Sequence, residues 1–196
     1  MVTTDVGRLV LLIGPSGVGK SVVLKSLKER HTEVVFPRSA TTRLQRKGEG
    51  NDLYRFLSDE QFDNLVQEGK VLEWAVVHGE ARYGTLEEEI IPPIENGQTV
   101  IREVDVQGFD SICSHLHFRG PDAKYKLESV FLLPENKDQL IARIRDRAPI
   151  SEDELKRRIA SMEQELTYAD SCDHSVVNKE GELAQTIEEI ERLLRL

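Results

Sequence analysis

Gly14-Pro15-Ser16-Gly17-Val18-Gly19-Lys20-Ser21 is the stretch of this chain whose residue types and spacing carry the most chemistry. Glycines let successive backbone N–H groups turn inward on one centre, and a helix beginning there adds the partial positive charge of its first turn. Such a cradle takes an anion, phosphate above all. The spacing satisfies G-x-x-x-x-G-K-[ST], in which the lysine reaches the terminal phosphates and the hydroxyl holds Mg²⁺. Gly14 to Ser21 are therefore expected to bind a nucleoside triphosphate, with Lys20 on its phosphates and Ser21 on the metal. The plain alternative, a glycine turn between a strand and a helix, needs neither a lysine nor a hydroxyl at its end.

The flanking residues supply the elements that must position this loop. Arg8 to Ile13 (RLVLLI) reads as a buried strand, and Val22, Val23, Leu24 and Leu27 recur at helical spacing. Further short apolar runs at 33–36, 72–77, 99–104, 129–133 and 175–177 read as strands. Ser58-Asp59-Glu60-Gln61 and Ser151-Glu152-Asp153-Glu154 are capping boxes, predicting a helix from each. The first should end near Gly69 and the second should run through Leu166. A terminal amphipathic helix over 182–194 carries Leu183, Ile187, Ile190 and Leu194 on one face. This alternation predicts an α/β fold with a mostly parallel central sheet flanked by helices. The more polar stretch 38–97, with short β-like pieces near Tyr54 and Trp74, reads as an inserted lobe. Arg143 to Arg158 reads as a basic helical hairpin.

Bulk properties narrow the function classes. A chain of 196 residues suggests one domain, and its net charge of −9 argues against general nucleic-acid binding. No apolar run approaches the ~20 residues of a membrane span, and Met1 to Gly7 lack a signal-like pattern. Cys113 and Cys172 have no metal-ligand spacing and read as free thiols of a reducing, cytoplasmic setting. Positive charge is bunched in two islands, one at Arg38, Arg43, Arg46 and Lys47, the other at Arg143, Arg145, Arg147 and Lys156 to Arg158. Such islands suit small anionic ligands, and two solvated faces are the ordinary alternative.

Ser39-Ala40-Thr41-Thr42-Arg43-Leu44-Gln45-Arg46-Lys47-Gly48-Glu49 resembles the S-x-T-T-R-x-x-R-x-G-E signature of guanylate kinases. Tyr54 with Phe56, Glu73-Trp74-Ala75, Tyr83-Gly84-Thr85 and Glu103-Val104-Asp105-Val106-Gln107-Gly108 follow in the same order, as do Leu140-x-x-Arg143, Arg147, Arg158 and Val176-Val177-Asn178. The resemblance implies a P-loop NTPase fold made of a core (7–37, 98–139 and 167–196), a GMP-binding lobe (38–97) and a lid (140–166). It implies Mg²⁺-dependent transfer of the γ-phosphoryl group of ATP to GMP, with dGMP as a candidate second acceptor.

Roles follow residue by residue from that resemblance. Arg43, Arg46, Tyr54 and Tyr83 would grip the GMP phosphate, arginine because its planar fork pairs with phosphate bidentately. Glu73 would accept from guanine N1–H and the 2-amino group, with Ser39 and Thr85 supplying hydroxyl contacts to the base. Adenine lacks both of those donors and would leave the carboxylate badly paired. Glu103, at the tip of the run 99–104, suits Mg²⁺, and Asp105 would face GMP. Arg143, Arg147 and Arg158 would close over the transferring group, and Asn178 would touch the adenine edge. Each has a bland alternative: packed tyrosines, a surface Glu73, a helix-capping Glu103 or Asp105, lid arginines paired to Asp146, Glu152 or Glu154, a turn asparagine. Departures from the family pattern are a shorter 49–54 loop, a longer 73–83 segment, and Arg102 where an apolar residue is usual. Two other classes stand beside guanylate kinase: a kinase for another phosphorylated acceptor, and a non-catalytic protein-binding module. Glu73 with Ser39 argues against the first, and the intact Lys20-Ser21 with the lid arginines argues against the second.

Overall fold

β1 (Arg8–Ile13) is the strand that delivers the glycine loop, and its last five residues are all buried. Burial of consecutive residues means both faces of the strand are covered, as in α/β sheets. The computed structural model describes residues 7–77, 81–146 and 151–196. After α1 (Lys20–Arg30) come β2 (Ser39–Thr41), β3 (Tyr54–Phe56), α2 (Asp59–Gln67), β4 (Val71–Val77), β5 (Ala81–Leu86), α3 (Glu87–Glu95) and β6 (Thr99–Glu103). Then follow α4 (Val106–Ser114), β7 (Lys126–Pro134), α5 (Lys137–Asp146), α6 (Glu152–Leu166), a 3₁₀ turn (Thr167–Ser171), β8 (His174–Asn178) and α7 (Leu183–Leu194).

The strands form two four-stranded sheets, ordered β6-β1-β7-β8 and β3-β2-β5-β4. In the first, β7 and β8 run parallel. In the second, β2 pairs parallel with β3 and antiparallel with β5, which pairs antiparallel with β4. The run predicted as a strand at 33–36 makes one parallel bridge, Val35 to Val100. β2 and β5 were not among the predicted strands.

By compactness the chain divides into two units. One comprises the described residues through Leu9 with Glu33–Arg102 and Gln107–Leu127. The other comprises Val10–Thr32, Glu103–Val106 and Glu128–Leu196. The first unit holds the β3-β2-β5-β4 sheet, with Ala40, Phe62 and Leu86 fully or almost fully buried and Leu57, Leu65, Val66 and Val71 packed on them. Phe62 comes from α2, whose start is fixed by a complete capping box between Ser58 and Gln61. In the second unit the Ser151 hydroxyl caps α6 by accepting from the Glu154 amide. Among the described residues no helix is long and apolar enough to cross a membrane.

Candidate active site

In the second unit the glycine loop joins β1 to α1 with its backbone folded inward. Gly19, the N-cap of α1, has φ 106°, and a Cβ there would sit 2.6 Å from Asn178 Nδ2. Gly14 has φ 148°, and a Cβ would meet the Leu132 carbonyl at 2.6 Å. Both positions exclude side chains on conformation and on space. No acidic residue stands in the first turn of α1, so the positive end of the helix is left for an anion. One loop amide already holds one: Ser16 N–H donates to Glu165 Oε2 at 3.0 Å.

Lys20 donates to the Gly14 carbonyl at 2.7 Å and the Pro15 carbonyl at 3.3 Å. Burial lowers its pKa from the ordinary 10.5, against the opposing pull of Glu103, Glu165 and Asp105. Next to it, Ser21 Oγ donates to Glu103 Oε2 at 3.1 Å. A hydroxyl and a carboxylate this close are hard oxygen donors suited to Mg²⁺ once nucleotide oxygens join them. Among the described residues no three His, Cys, Asp or Glu side chains cluster as a self-sufficient metal site.

Asn178, at the end of β8, has both ends of its amide engaged. Its Nδ2 donates to the Val18 carbonyl at 2.8 Å and its Oδ1 accepts from Thr186 Oγ1 at 3.1 Å. It is a brace under the glycine loop in this structure. The lid arginines expected over the phosphates take separate places. Arg158 Nε donates to Glu154 Oε1, one turn away on α6, at 2.9 Å, and Arg143 lies 3.7 Å from Glu180. Arg147 lies outside the described residues.

In the first unit, strand register assembles a separate group of polar side chains. Glu73 pairs with Thr85 across β4 and β5, Ala40 with Gly84 across β2 and β5, and Ser39 with Tyr54 across β2 and β3. Side chains alternate faces along each strand, so Glu73, Thr85, Ser39 and Tyr54 share one face of the sheet. The residues one step on, Trp74, Gly84 and Ala40, turn to the face where Phe62 packs, with the Trp74 ring edge-on to it. Thr85 Oγ1 donates to Glu73 Oε1 at 2.5 Å. The Glu73 side chain is 11% exposed, so a ligand donor reaching it would do so largely out of water.

Arg43 occupies the same unit as a fork already engaged. It donates from Nη1 and Nη2 to the two Glu49 oxygens at 2.9 and 2.7 Å, and from Nε to the Tyr83 hydroxyl at 3.2 Å. Its guanidinium also lies over the Tyr54 and Phe56 rings, 5.2 and 5.3 Å from their centroids. Hydrogen bonding to Arg43 and to the Arg46 amide lowers the Glu49 pKa to about 2. The arginine is thus pre-set by a carboxylate, two rings and a phenol, while the exposed Arg46 contributes its backbone to the same turn. Asp105 is exposed, and its charge is felt at Lys20.

One residue escaped functional assignment from sequence. Arg102, on β6, donates from Nε to Thr85 Oγ1 at 2.9 Å and from Nη1 to Ser39 Oγ at 2.8 Å, and its Nη2 lies 3.8 Å from Glu73 Oε1. The only sequence signal was a charged residue inside an apolar strand.

Similarity to known proteins agrees with these two assemblies. The family profile described as guanylate kinase matches residues 6–196. A guanylate kinase of Tropheryma whipplei (strain Twist) is 38% identical over 177 residues, 90% of this chain and 88% of that one. A guanylate kinase of Nocardia farcinica is 39% identical over 180 residues, covering 90% and 89%. The crystal structure of guanylate kinase from Anaplasma phagocytophilum superposes with a TM-score of 0.71 at 24% identity, over 97% of this chain and 86% of that one, and so shares the fold. A phosphate loop with its hydroxyl–carboxylate pair, a carboxylate-bearing sheet face and this extent of similarity lead to one assignment: the chain belongs to the guanylate kinase family.

Proposed function

We propose that the protein transfers the γ-phosphoryl group of ATP to GMP, giving ADP and GDP. The observation that carries this reading is the alignment of Glu73, Thr85 and Ser39 on one sheet face, with the carboxylate nearly buried. A kinase for a sugar phosphate would have no use for such a row. Guanine N1–H and its 2-amino group would both donate to Glu73. The GMP phosphate would be held by Arg43, Arg46, Tyr54 and Tyr83, with Asp105 directed to the same nucleotide.

The acceptor needs no general base. A phosphate monoester has a second pKa of about 6, so at neutral pH its oxygen is already an anionic nucleophile. That oxygen forms the new bond to the γ-phosphorus, the bond from the γ-phosphorus to the β–γ bridging oxygen breaks, and ADP departs with the electron pair. Catalysis reduces to aligning two polyanions and offsetting their charge. Gly14 to Ser21 hold the ATP phosphates through backbone amides and the Lys20 ammonium. Ser21 and Glu103 would hold Mg²⁺, which when bound offsets phosphate charge. Asn178 keeps the loop in shape and lies beside the nucleotide. Arg143 and Arg158 would leave their partners Glu180 and Glu154 and, with Arg147, close on the transferring group, adding positive charge at the moment it is needed. Cys113 and Cys172, neither in a disulfide, suit a cytoplasmic setting.

An ADP-release assay with ATP and GMP, dGMP, AMP, UMP or ribose phosphates tests the proposal. Turnover with GMP and little with AMP is expected. ATP binding with no turnover on any monophosphate would point instead to a non-catalytic module.

A further inference from the structure

Arg102 organises the polar row that the sheet face presents. A guanidinium has N–H donors and no acceptor, so every group it touches must accept. Thr85 Oγ1 accepts from Arg102 Nε at 2.9 Å and therefore passes its one proton on, to Glu73 Oε1. Ser39 Oγ accepts from Arg102 Nη1 at 2.8 Å, so its one proton serves some other acceptor. The guanidinium also lies 3.8 Å from the Glu73 carboxylate, with both side chains almost wholly covered. In that setting Glu73 is kept as an anion that only accepts, and Ser39 as a hydroxyl that donates away from Arg102.

We propose that Arg102 is a specificity-determining residue of the purine site, acting by fixing the hydrogen-bond polarity of Ser39, Thr85 and Glu73. The inference rests on the GMP reading and says which feature of the base the row detects. A donor hydroxyl beside an acceptor carboxylate matches a purine with a carbonyl at position 6 and a proton on N1. A purine with an amino group at position 6 and a bare N1 meets a donor with a donor and an acceptor with an acceptor. Arg102 touches no reacting atom; it positions the groups that touch the base.

The test compares acceptors that differ at position 6 and, with it, in the N1 proton: IMP against AMP, and GMP against 2,6-diaminopurine ribonucleoside monophosphate. Arg102→Met keeps an unbranched apolar stem and removes every donor. It should lower both 6-oxo to 6-amino ratios of kcat/KM by about tenfold, chiefly through KM for the 6-oxo acceptors. ATP affinity should be unchanged. Ser39→Ala should reproduce part of the loss, and the double variant should lose less than the product of the two single losses. Unchanged ratios in Arg102→Met, or losses that multiply in the double variant, overturn the proposal. Should Arg102→Met fail to fold, Ser39→Ala alone decides: an unaltered IMP to AMP ratio also overturns it. A wild-type enzyme inert towards GMP refutes the proposed function itself. A selective wild type with an equally selective Arg102→Met variant refutes this inference alone.

Discussion

Ser21 Oγ and Glu103 Oε2 stand 3.1 Å apart although they are 82 positions apart in the chain. One comes from the first turn of α1 and the other from the end of β6. Two oxygen donors brought together beside a phosphate loop predict a shared metal dependence. Ser21→Ala and Glu103→Gln should each raise the Mg²⁺ needed for half-maximal rate by about 10- to 100-fold. If they serve one ion, the double variant should fall well short of the product. A Mg²⁺ titration at fixed ATP checks this, and unaltered midpoints would remove the pair from the metal site.

Lys20→Ala should reduce kcat by roughly a thousandfold or more, as expected when a preorganised charge is lost from phosphoryl transfer. Burial lowers the Lys20 pKa below 10.5. If the ammonium is the active form, the alkaline limb of the rate profile should fall below that pH. Asp105→Asn removes an opposing carboxylate and should move the limb lower still. A limb that stays fixed would assign the alkaline loss to another group.

Glu73→Gln replaces an acceptor with a group that also donates. It should cut the GMP to AMP ratio of kcat/KM by roughly 100-fold while leaving the KM for ATP unchanged. Equal ratios in the two proteins would separate Glu73 from base reading.

Glu49 carries a predicted acid sensitivity. Its pKa in the folded chain is depressed from 4.5 to about 2, chiefly by the hydrogen bonds from Arg43. A depressed carboxylate contributes stability above its ordinary pKa and loses it as pH falls towards the folded value. The contribution should therefore be complete above pH 4.5 and fade towards pH 2. Thermal melts of wild type and Glu49→Gln across that window should converge as pH falls. Parallel curves would show that the pair contributes nothing there.

Gly19→Ala should be among the more damaging single-methyl changes. It forces a side chain onto φ 106° and against Asn178 Nδ2. A loss of about 1–3 kcal/mol of stability with weakened ATP binding is expected, read by denaturant melts and nucleotide titration. Retained ATP affinity would show the loop tolerates a different path.

The phosphate loop and its flanking elements were legible because their signals are local. A run of apolar residues, spaced glycines and a capping box each lie within a few residues. The sheet face was less so. β2 has three residues, too few to show alternation, and β5 carries Gly84 where a strand pattern would want a side chain. α3 was hidden by Pro92 and Pro93, which lack the amide hydrogens a helix uses. The resemblance named Ser39, Glu73 and Thr85, and only register explains why they act together. Arg102 was visible as an oddity, but its hydrogen-bonded hydroxyl partners lie 17 and 63 positions away, beyond any local pattern. The Glu154 partner of Arg158 was among the alternatives that helical spacing offered, whereas the Glu180 partner of Arg143 belongs to the structure.

The amide of Asn178 that supports the Val18 carbonyl has a bearing on biosynthesis. The glycine loop is translated before its prop, which arrives 160 positions later. A nascent chain leaving the ribosome therefore carries the loop long before Asn178 can support it. A chain stopped before β8 would keep the motif without the Asn178 brace.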